Sequence, residues 1–335
     1  MRFKRLLMIR LRSLGDTVLM TPALSAAGTL AHRIGVVAED PFHQVLEGHP
    51  DLDRLFVIRR RDGLPGRIEA IRRIREFQSE AVIDLHGGTT AALLAYFSGA
   101  PLRVGYASGR NARAYNFKVP ESSILWGRSQ LHTVEHQISP LLALGATVDV
   151  VPPLYVSRSP QAEEEVERSL RKMSLNPGFL LIQPAAAFET KRWPLANFVE
   201  LACRLAVSGH SVVATAGPGE EALLEPFRRV GADNLRVFGP GSIHRFTALA
   251  ARCRAFIGND TGTTHIAAAL KKPVAAVFGS SDPQVWRPWG TESRVLQADL
   301  DCIPCPGRQC LHYEEPKCIH SITVDQTFAA VLELL

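Results

Sequence analysis

The sequence has no apolar run long enough to cross a bilayer. Alanine-rich stretches such as residues 91–97 fall well short of the ~20 residues a membrane helix needs. The basic start (Arg2, Lys4, Arg5) is followed only by Leu6-Leu7-Met8-Ile9 before Arg10 and Arg12 intervene. A signal peptide needs an apolar stretch of about 7–15 residues, so none is read here. A cytoplasmic protein is expected, with any membrane contact peripheral. Neither half carries G-x-G-x-x-G between a first strand and its helix, which argues against a dehydrogenase, and there is no Walker A sequence. Zinc-finger, RRM and KH signatures are missing too, so nucleic acid is not an expected partner.

What is present is a chain of 335 residues, enough for two domains at about 150 residues each. Hydrophobic residues make up 46% and charged residues 21%, which suits a buried core without disorder. The net charge of +5 is unevenly spread, with 20 Lys and Arg against 14 Asp and Glu in residues 1–160. Arg59, Arg60, Arg61, Arg67, Arg72, Arg73 and Arg75 supply most of that excess. Such a patch attracts an anionic surface or substrate, and a solvated helix face is the plainer alternative.

Short β-branched runs alternate with helical patterns along most of the chain. Strands are expected at 5–9, 34–38, 55–58, 81–85 and 103–106, with helices at 17–30, 41–48, 66–77 and 89–98. The rhythm breaks near 148–178, where Pro152, Pro153, Pro160 and Pro177 flank an acidic helix at 161–173. Alternation then resumes with strands at 179–183, 211–216, 235–238, 255–258 and 273–278. The helices between them fall at 195–208, 220–230, 243–253 and 263–270, and a last one capped by Thr323 ends the chain. Strand and helix alternating in this way imply parallel βαβ units. The domains are read as 1–158 and 175–322, with a junction at 159–174 and a terminal helix at 323–335. Ligands of such sheets bind beyond the carboxyl ends of the strands, here expected in the cleft between the domains.

Three stretches carry chemistry. The first strand runs into Ser13-Leu14-Gly15-Asp16, where Gly15 permits a tight turn and Asp16 stands at a helix start. Asp16 reads either as a plain N-cap or as a general base for an acceptor hydroxyl. A loop of Ala185, Ala186 and Ala187 leads to Lys191-Arg192-Trp193-Pro194 and a Pro-started helix. That suits an anion site, or else surface basicity beside a buried Trp193. The third stretch, Gly258-Asn259-Asp260-Thr261-Gly262-Thr263-Thr264-His265, ends a strand in a Gly- and Thr-rich turn. Amides of Thr261, Gly262 and Thr263 would face a diphosphate with hydroxyls as added donors, and His265 lies one turn in. His265 also reads as a core or capping histidine.

These three motifs, in this order, resemble the landmarks of the ADP-heptose:lipopolysaccharide heptosyltransferases, and the resemblance spans nearly the whole chain. It implies an α/β fold of the GT-B type, two Rossmann-like parallel-sheet domains facing across a cleft, and inverting transfer from an ADP-heptose donor. By position Asp16 would be the catalytic base and Lys191 the diphosphate contact. Asp260, Thr261, Gly262, Thr263 and His265 would line the donor site, and Glu220 would hold the ribose, with Glu221 close behind. The three alanines at 185–187 stand where some relatives have threonines, so no hydroxyl contact to phosphate is carried over there. The acceptor would be a lipid-linked anionic oligosaccharide of the lipopolysaccharide core, touched by Arg12, His86 and Thr89. Ordinary turn structure is the other reading of His86 and Thr89. Any membrane contact would be on the inner face of the inner membrane. The scheme needs no metal and no cofactor. A transferase using a UDP-sugar on a cell-envelope acceptor is the main alternative. A non-catalytic or dinucleotide-binding Rossmann protein is the lesser one.

Four cysteines crowd the tail as Cys302-x2-Cys305-x4-Cys310-x7-Cys318. Reduced thiols packing a loop are favoured over structural zinc, because the spacing is not a pair of Cys-x-x-Cys knuckles. Cys203 and Cys253 read as core.

Overall fold

A computed structural model describes residues 2–109 and 111–335. The chain divides into two units, ending and beginning at Ser157 and Arg158. In the first unit the strands are β1 (Phe3–Arg10), β2 (Ala31–Glu39), β3 (Arg54–Ile58), β4 (Ala81–Asp84), β5 (Leu102–Tyr106) and β6 (Phe117–Val119). They form one sheet in the order β3-β2-β1-β4-β5-β6, and every pairing is parallel. Leu6, Leu7, Met8 and Ile9 in β1 are fully buried, because helices cover both faces of a parallel sheet and leave no polar side. Burying each such side chain contributes roughly 1.5–3 kcal/mol.

The helices of this unit are α1 (Leu14–Leu19), α2 (Thr21–Ala27), α3 (Gly63–Glu76), α4 (Thr89–Phe97), α5 (Ser122–Trp126) and α6 (Thr133–Ala143). The single helix expected over 17–30 is two, broken at Met20, because Pro22 stands at the start of α2. The helix expected over 41–48 is a short 3₁₀ turn, Phe42–Leu46. The extended segment after α6 is tied to this unit. The Tyr155 amide donates to Thr21 Oγ1 at 2.9 Å, and the Ser157 amide to the Val45 carbonyl at 2.9 Å.

The second unit repeats the plan. Its strands are β7 (Leu180–Gln183), β8 (Val212–Thr215), β9 (Leu235–Phe238), β10 (Ala255–Asn259), β11 (Val274–Val277) and β12 (Ser293–Leu296). The order is β12-β11-β10-β7-β8-β9, again all parallel. Renumbered from its first strand, this is the same succession as in the first unit. Its helices are α7 (Pro160–Lys172), α8 (Leu195–Val207), α9 (Glu225–Val230), α10 (Ile243–Ala250), α11 (Gly262–Ala269), α12 (Pro283–Trp286), α13 (Lys317–His320) and α14 (Val324–Leu332). Helix α7, read from sequence as part of a junction, buries Ala162, Val166 and Leu170 among Phe179, Leu181 and Phe256 of this unit. Thr323 caps α14 as expected, and Gln326 returns a bond to the Thr323 amide at 2.9 Å.

In each sheet the strand order reverses between the first and fourth strands, and ligands of such folds bind at that switch point. In the first unit the point lies beyond β1 and β4, in the second beyond β7 and β10. Asp16 and His86 follow the former pair, and Lys191 and Asp260 the latter.

Candidate active site

Asp16 is not the N-cap of α1. Ser13 is, and Asp16 sits three residues on as its partner in a capping box. Gly15, expected to make a tight turn, is instead a buried residue of the first helical turn. Asp16 Oδ2 accepts from the Ser13 amide and the Ser13 hydroxyl, each at 3.0 Å. Oδ1 forms an ion pair with Arg10, whose guanidinium also donates to the Leu85 carbonyl. From α6, Gln137 Nε2 donates to the Asp16 carbonyl at 3.2 Å. The carboxylate is thus held by Arg10 and Ser13, and its backbone by Gln137, while the side chain stays 16% exposed.

His86 follows β4, where the buried Asp84 organises the chain. Asp84 Oδ1 accepts from the His86 amide at 2.7 Å and the Gly87 amide at 2.9 Å, and Oδ2 accepts from the Tyr115 hydroxyl at 2.6 Å. Burial raises the Asp84 carboxyl above its usual range, against those three donors and Arg10. Burial, then Arg10, lowers the half-buried His86 imidazole to about 4, with Asp16 opposing and Arg12 and Arg60 adding to the fall. His86 is therefore neutral at physiological pH and shares a field with Arg10, Asp16 and Arg12. Arg12 is exposed and lies 3.9 Å from Glu39, which also pairs with Arg60. Thr89 is the exposed first residue of α4.

In the second unit, Lys191 ends a 3₁₀ turn, Glu189–Lys191. Its Nζ donates to Asp260 Oδ2 at 2.7 Å, and Ser281 Oγ donates to the same oxygen at 2.6 Å. Asp260 is buried, while the Lys191 side chain keeps 23% exposure. Asn259 clips the end of β10 to the loop after β7. Its Oδ1 accepts from the Trp193 amide at 3.1 Å, and its Nδ2 donates to the Pro184 carbonyl at 2.8 Å. Arg192 is exposed and engaged by the backbone, donating to the Ala186 carbonyl at 3.0 and 3.3 Å. Trp193 is fully buried, its Nε1 donating to the Ile322 carbonyl at 2.8 Å.

Thr261 caps α11 through its backbone alone, and Gly262 is the first helical residue. Gly262 does not adopt positive φ, so its backbone is one that any residue could take. The Thr261 and Thr263 hydroxyls bond each other at 2.8 Å, and His265 is buried one turn on. Glu220 lies past β8, its Oε2 accepting from the Gly217 amide at 2.8 Å.

Beside Lys191 is a cavity of about 380 Å³ lined by Phe188, Lys191, Ser280, Ser281, Asp282, Trp286, Pro304, Cys305, Pro306 and Gly307. Sequence reasoning assigned nothing to Ser281 or Trp286. The signal was there: Gly279-Ser280-Ser281-Asp282-Pro283 follows a strand in the way the other two site loops do. The tail cysteines gather around the buried Cys318, whose thiol is raised to about 11 by burial and by Cys305, Cys302 and Cys310. Cys305 also lines the cavity. Among the described residues no group of three His, Cys, Asp or Glu side chains is placed to hold a metal ion.

Residues 67–314 match glycosyltransferase family 9 (heptosyltransferase). Lipopolysaccharide heptosyltransferase 1 of Pseudomonas aeruginosa is 27% identical over 323 residues, covering 92% of this chain and 88% of its own. A family 9 glycosyl transferase from Veillonella parvula superposes with a TM-score of 0.86 at 22% identity, covering 100% of this chain and 98% of its own. Escherichia coli heptosyltransferase WaaC, solved with ADP-2-deoxy-2-fluoro heptose, does so at 0.71 and 21% identity, covering 99% and 100%. The two Rossmann-like sheets are those of the GT-B class, and the enzyme is a glycosyltransferase. The match covers well over half of the chain, which therefore belongs to glycosyltransferase family 9, the heptosyltransferases.

Proposed function

We propose that this enzyme transfers a heptosyl group, with inversion, from ADP-heptose to an anionic, lipid-linked acceptor of the lipopolysaccharide core. The observation that carries the reading is the equivalent placement of chemistry at two switch points. One holds a fixed carboxylate, and the other holds a lysine beside the amino end of a helix. The second unit binds the donor. Lys191 keeps N–H donors beyond its bond to Asp260, and with the amides opening α11 these take the diphosphate. Both stabilise the charge that grows as the bond from C1 to the departing phosphate oxygen breaks. Thr261, Gly262, Thr263 and His265 line this donor site, and Glu220 turns to the ribose hydroxyls.

The first unit binds the acceptor, with Arg12, His86 and Thr89 about its hydroxyl. Asp16 takes the proton from that hydroxyl as the oxygen attacks C1 from the face opposite the nucleotide. ADP leaves, and the anomeric configuration reverses. Two relatives support the reading: the name of the Pseudomonas protein gives heptosyl transfer and lipopolysaccharide, and the Escherichia coli protein was solved with an ADP-heptose analogue. A calorimetric comparison of ADP with UDP tests it, because the reading requires ADP to bind at least tenfold more tightly. Equal affinity, or preference for UDP, would turn the reading toward a UDP-sugar transferase.

A further inference from the structure

Helix α4 has the sequence Thr-Thr-Ala-Ala-Leu-Leu-Ala-Tyr-Phe and is apolar on every side. Ala91, Ala92, Leu94 and Ala95 pack into the sheet. The opposite stripe, at the i, i+4, i+7, i+8 spacing of one helix face, is Thr89, Leu93, Tyr96 and Phe97. Leu93, Tyr96 and Phe97 are 44%, 54% and 46% exposed. A helix apolar all round is ordinarily buried on all sides, so this outer stripe calls for a partner.

The neighbouring α3 packs into the same core through Ala70 and Ile74, on the same side of the sheet as α4. Its residues 64, 68, 71 and 75 share one stripe. Leu64 and Ile68 on that stripe are 66% and 60% exposed. Arg75, at its far end, reaches the carboxyl end of α4, standing within 3.8 Å of where a Cβ on Gly99 would be. Helices α3 and α4 thus pack side by side over one face of the sheet, and each carries an exposed apolar stripe. Residues 59–76 add seven arginines against three acidic residues; Arg59, Arg60 and Arg72 are ion-paired, which leaves Arg61, Arg67, Arg73 and Arg75 as the basic excess, and the Arg103 guanidinium lies 5.5 Å from the Tyr96 ring centre.

We infer that the α3–α4 face docks onto an anionic lipid bilayer. Leucine, isoleucine, phenylalanine and tyrosine side chains enter the interface while the arginine excess meets the headgroups. A second copy of the chain would have to bring acidic residues to this basic, apolar face, whereas an anionic bilayer presents negative charge over its whole surface. The inference is consistent with a lipid-linked acceptor but rests on this surface alone.

Co-sedimentation with phosphatidylglycerol vesicles free of any acceptor tests it, with phosphatidylcholine vesicles as the neutral comparison. Binding is expected to phosphatidylglycerol, to weaken with added salt, and to fall at least about tenfold in Leu93→Ser/Phe97→Ser and in Leu64→Ser/Ile68→Ser. Val207→Ser, which alters an exposed apolar residue of the other unit, should bind as wild type does. Circular dichroism melting would verify that each variant folds. Tyr96→Trp offers a reading without loss of surface, through a blue shift of its emission on vesicle addition. Turnover of an acyl-free acceptor should stay within about twofold of wild type in the Ser variants, so a fault in the glycosyl-transfer reading would show there and not in vesicle binding. Absence of vesicle binding, or binding unaltered by both double variants, would overturn the inference. So would loss, in the same variants, of a dimer that forms without lipid.

Discussion

The carboxylate of Asp16 is engaged on both oxygens, by Arg10 on Oδ1 and by the Ser13 amide and hydroxyl on Oδ2. Oδ2 accepts two bonds, whereas Oδ1 keeps a further lone-pair direction, so fixation and proton acceptance are compatible. Asp16→Asn should lower turnover by about 10²–10⁴-fold, the usual reach of a general base, while ADP affinity stays as in wild type. Near-normal turnover in that variant would leave Asp16 as a helix-start residue only. Lys191→Ala should weaken ADP binding about tenfold or more, because a charged hydrogen bond to the diphosphate is lost. Arg192→Ala should do much less, since its guanidinium is committed to the Ala186 carbonyl. Equal losses in calorimetry would mean both cations share the anion. The sequence made Asp16 and Lys191 visible because each follows a strand in a recognisable motif. It could not show that Lys191 and Ser281 converge on one oxygen of Asp260, because both are remote from it in sequence and meet it only through the sheet.

At the scale of elements, two glycines at the ends of strands serve different ends. Gly262 opens α11 with ordinary backbone, so alanine should leave the melting temperature nearly unchanged and act on donor binding instead. Gly279 lies against the 3₁₀ turn that carries Lys191, and an added Cβ there would collide with the Thr190 carbonyl oxygen. Gly279→Ala should destabilise by about 1–3 kcal/mol, as overpacking does, and displace Lys191 as well. Scanning calorimetry with ADP titration on both variants separates the cases. Normal ADP affinity in Gly262→Ala would remove the diphosphate from the α11 amino end. Most strands were legible in advance, since buried parallel strands read as short apolar runs. Helix α6 was not, because its cap is His132 and Pro140 lies inside it, which hides both the start signal and the continuity. The edge strands β6 and β12 were missed too, being short and lacking a fully buried apolar run.

The molecule as a whole joins two copies of one sheet plan, and that repetition was readable only as alternation; the strand orders come from the fold. Its stability should respond to acid in a definite direction. His86, lowered to about 4 mainly by burial, binds fewer protons folded than unfolded between that value and 6.5, as do His49 and His136, also lowered by burial. These groups make stability rise with pH through that window and fall as pH drops through it, while the raised Asp84 carboxyl acts the opposite way. Urea unfolding at pH 7 and pH 5 should therefore show a smaller loss in His86→Gln than in wild type, and identical losses would contradict the burial of a neutral imidazole. The central claim is glycosyl transfer from ADP-heptose with inversion, and nuclear magnetic resonance of the product tests it most directly. Incubation of the enzyme with ADP-heptose and a deacylated core oligosaccharide should yield ADP and a heptosyl linkage of anomeric configuration opposite to the donor. A product retaining the donor's configuration, or transfer from a UDP-sugar alone, would contradict it.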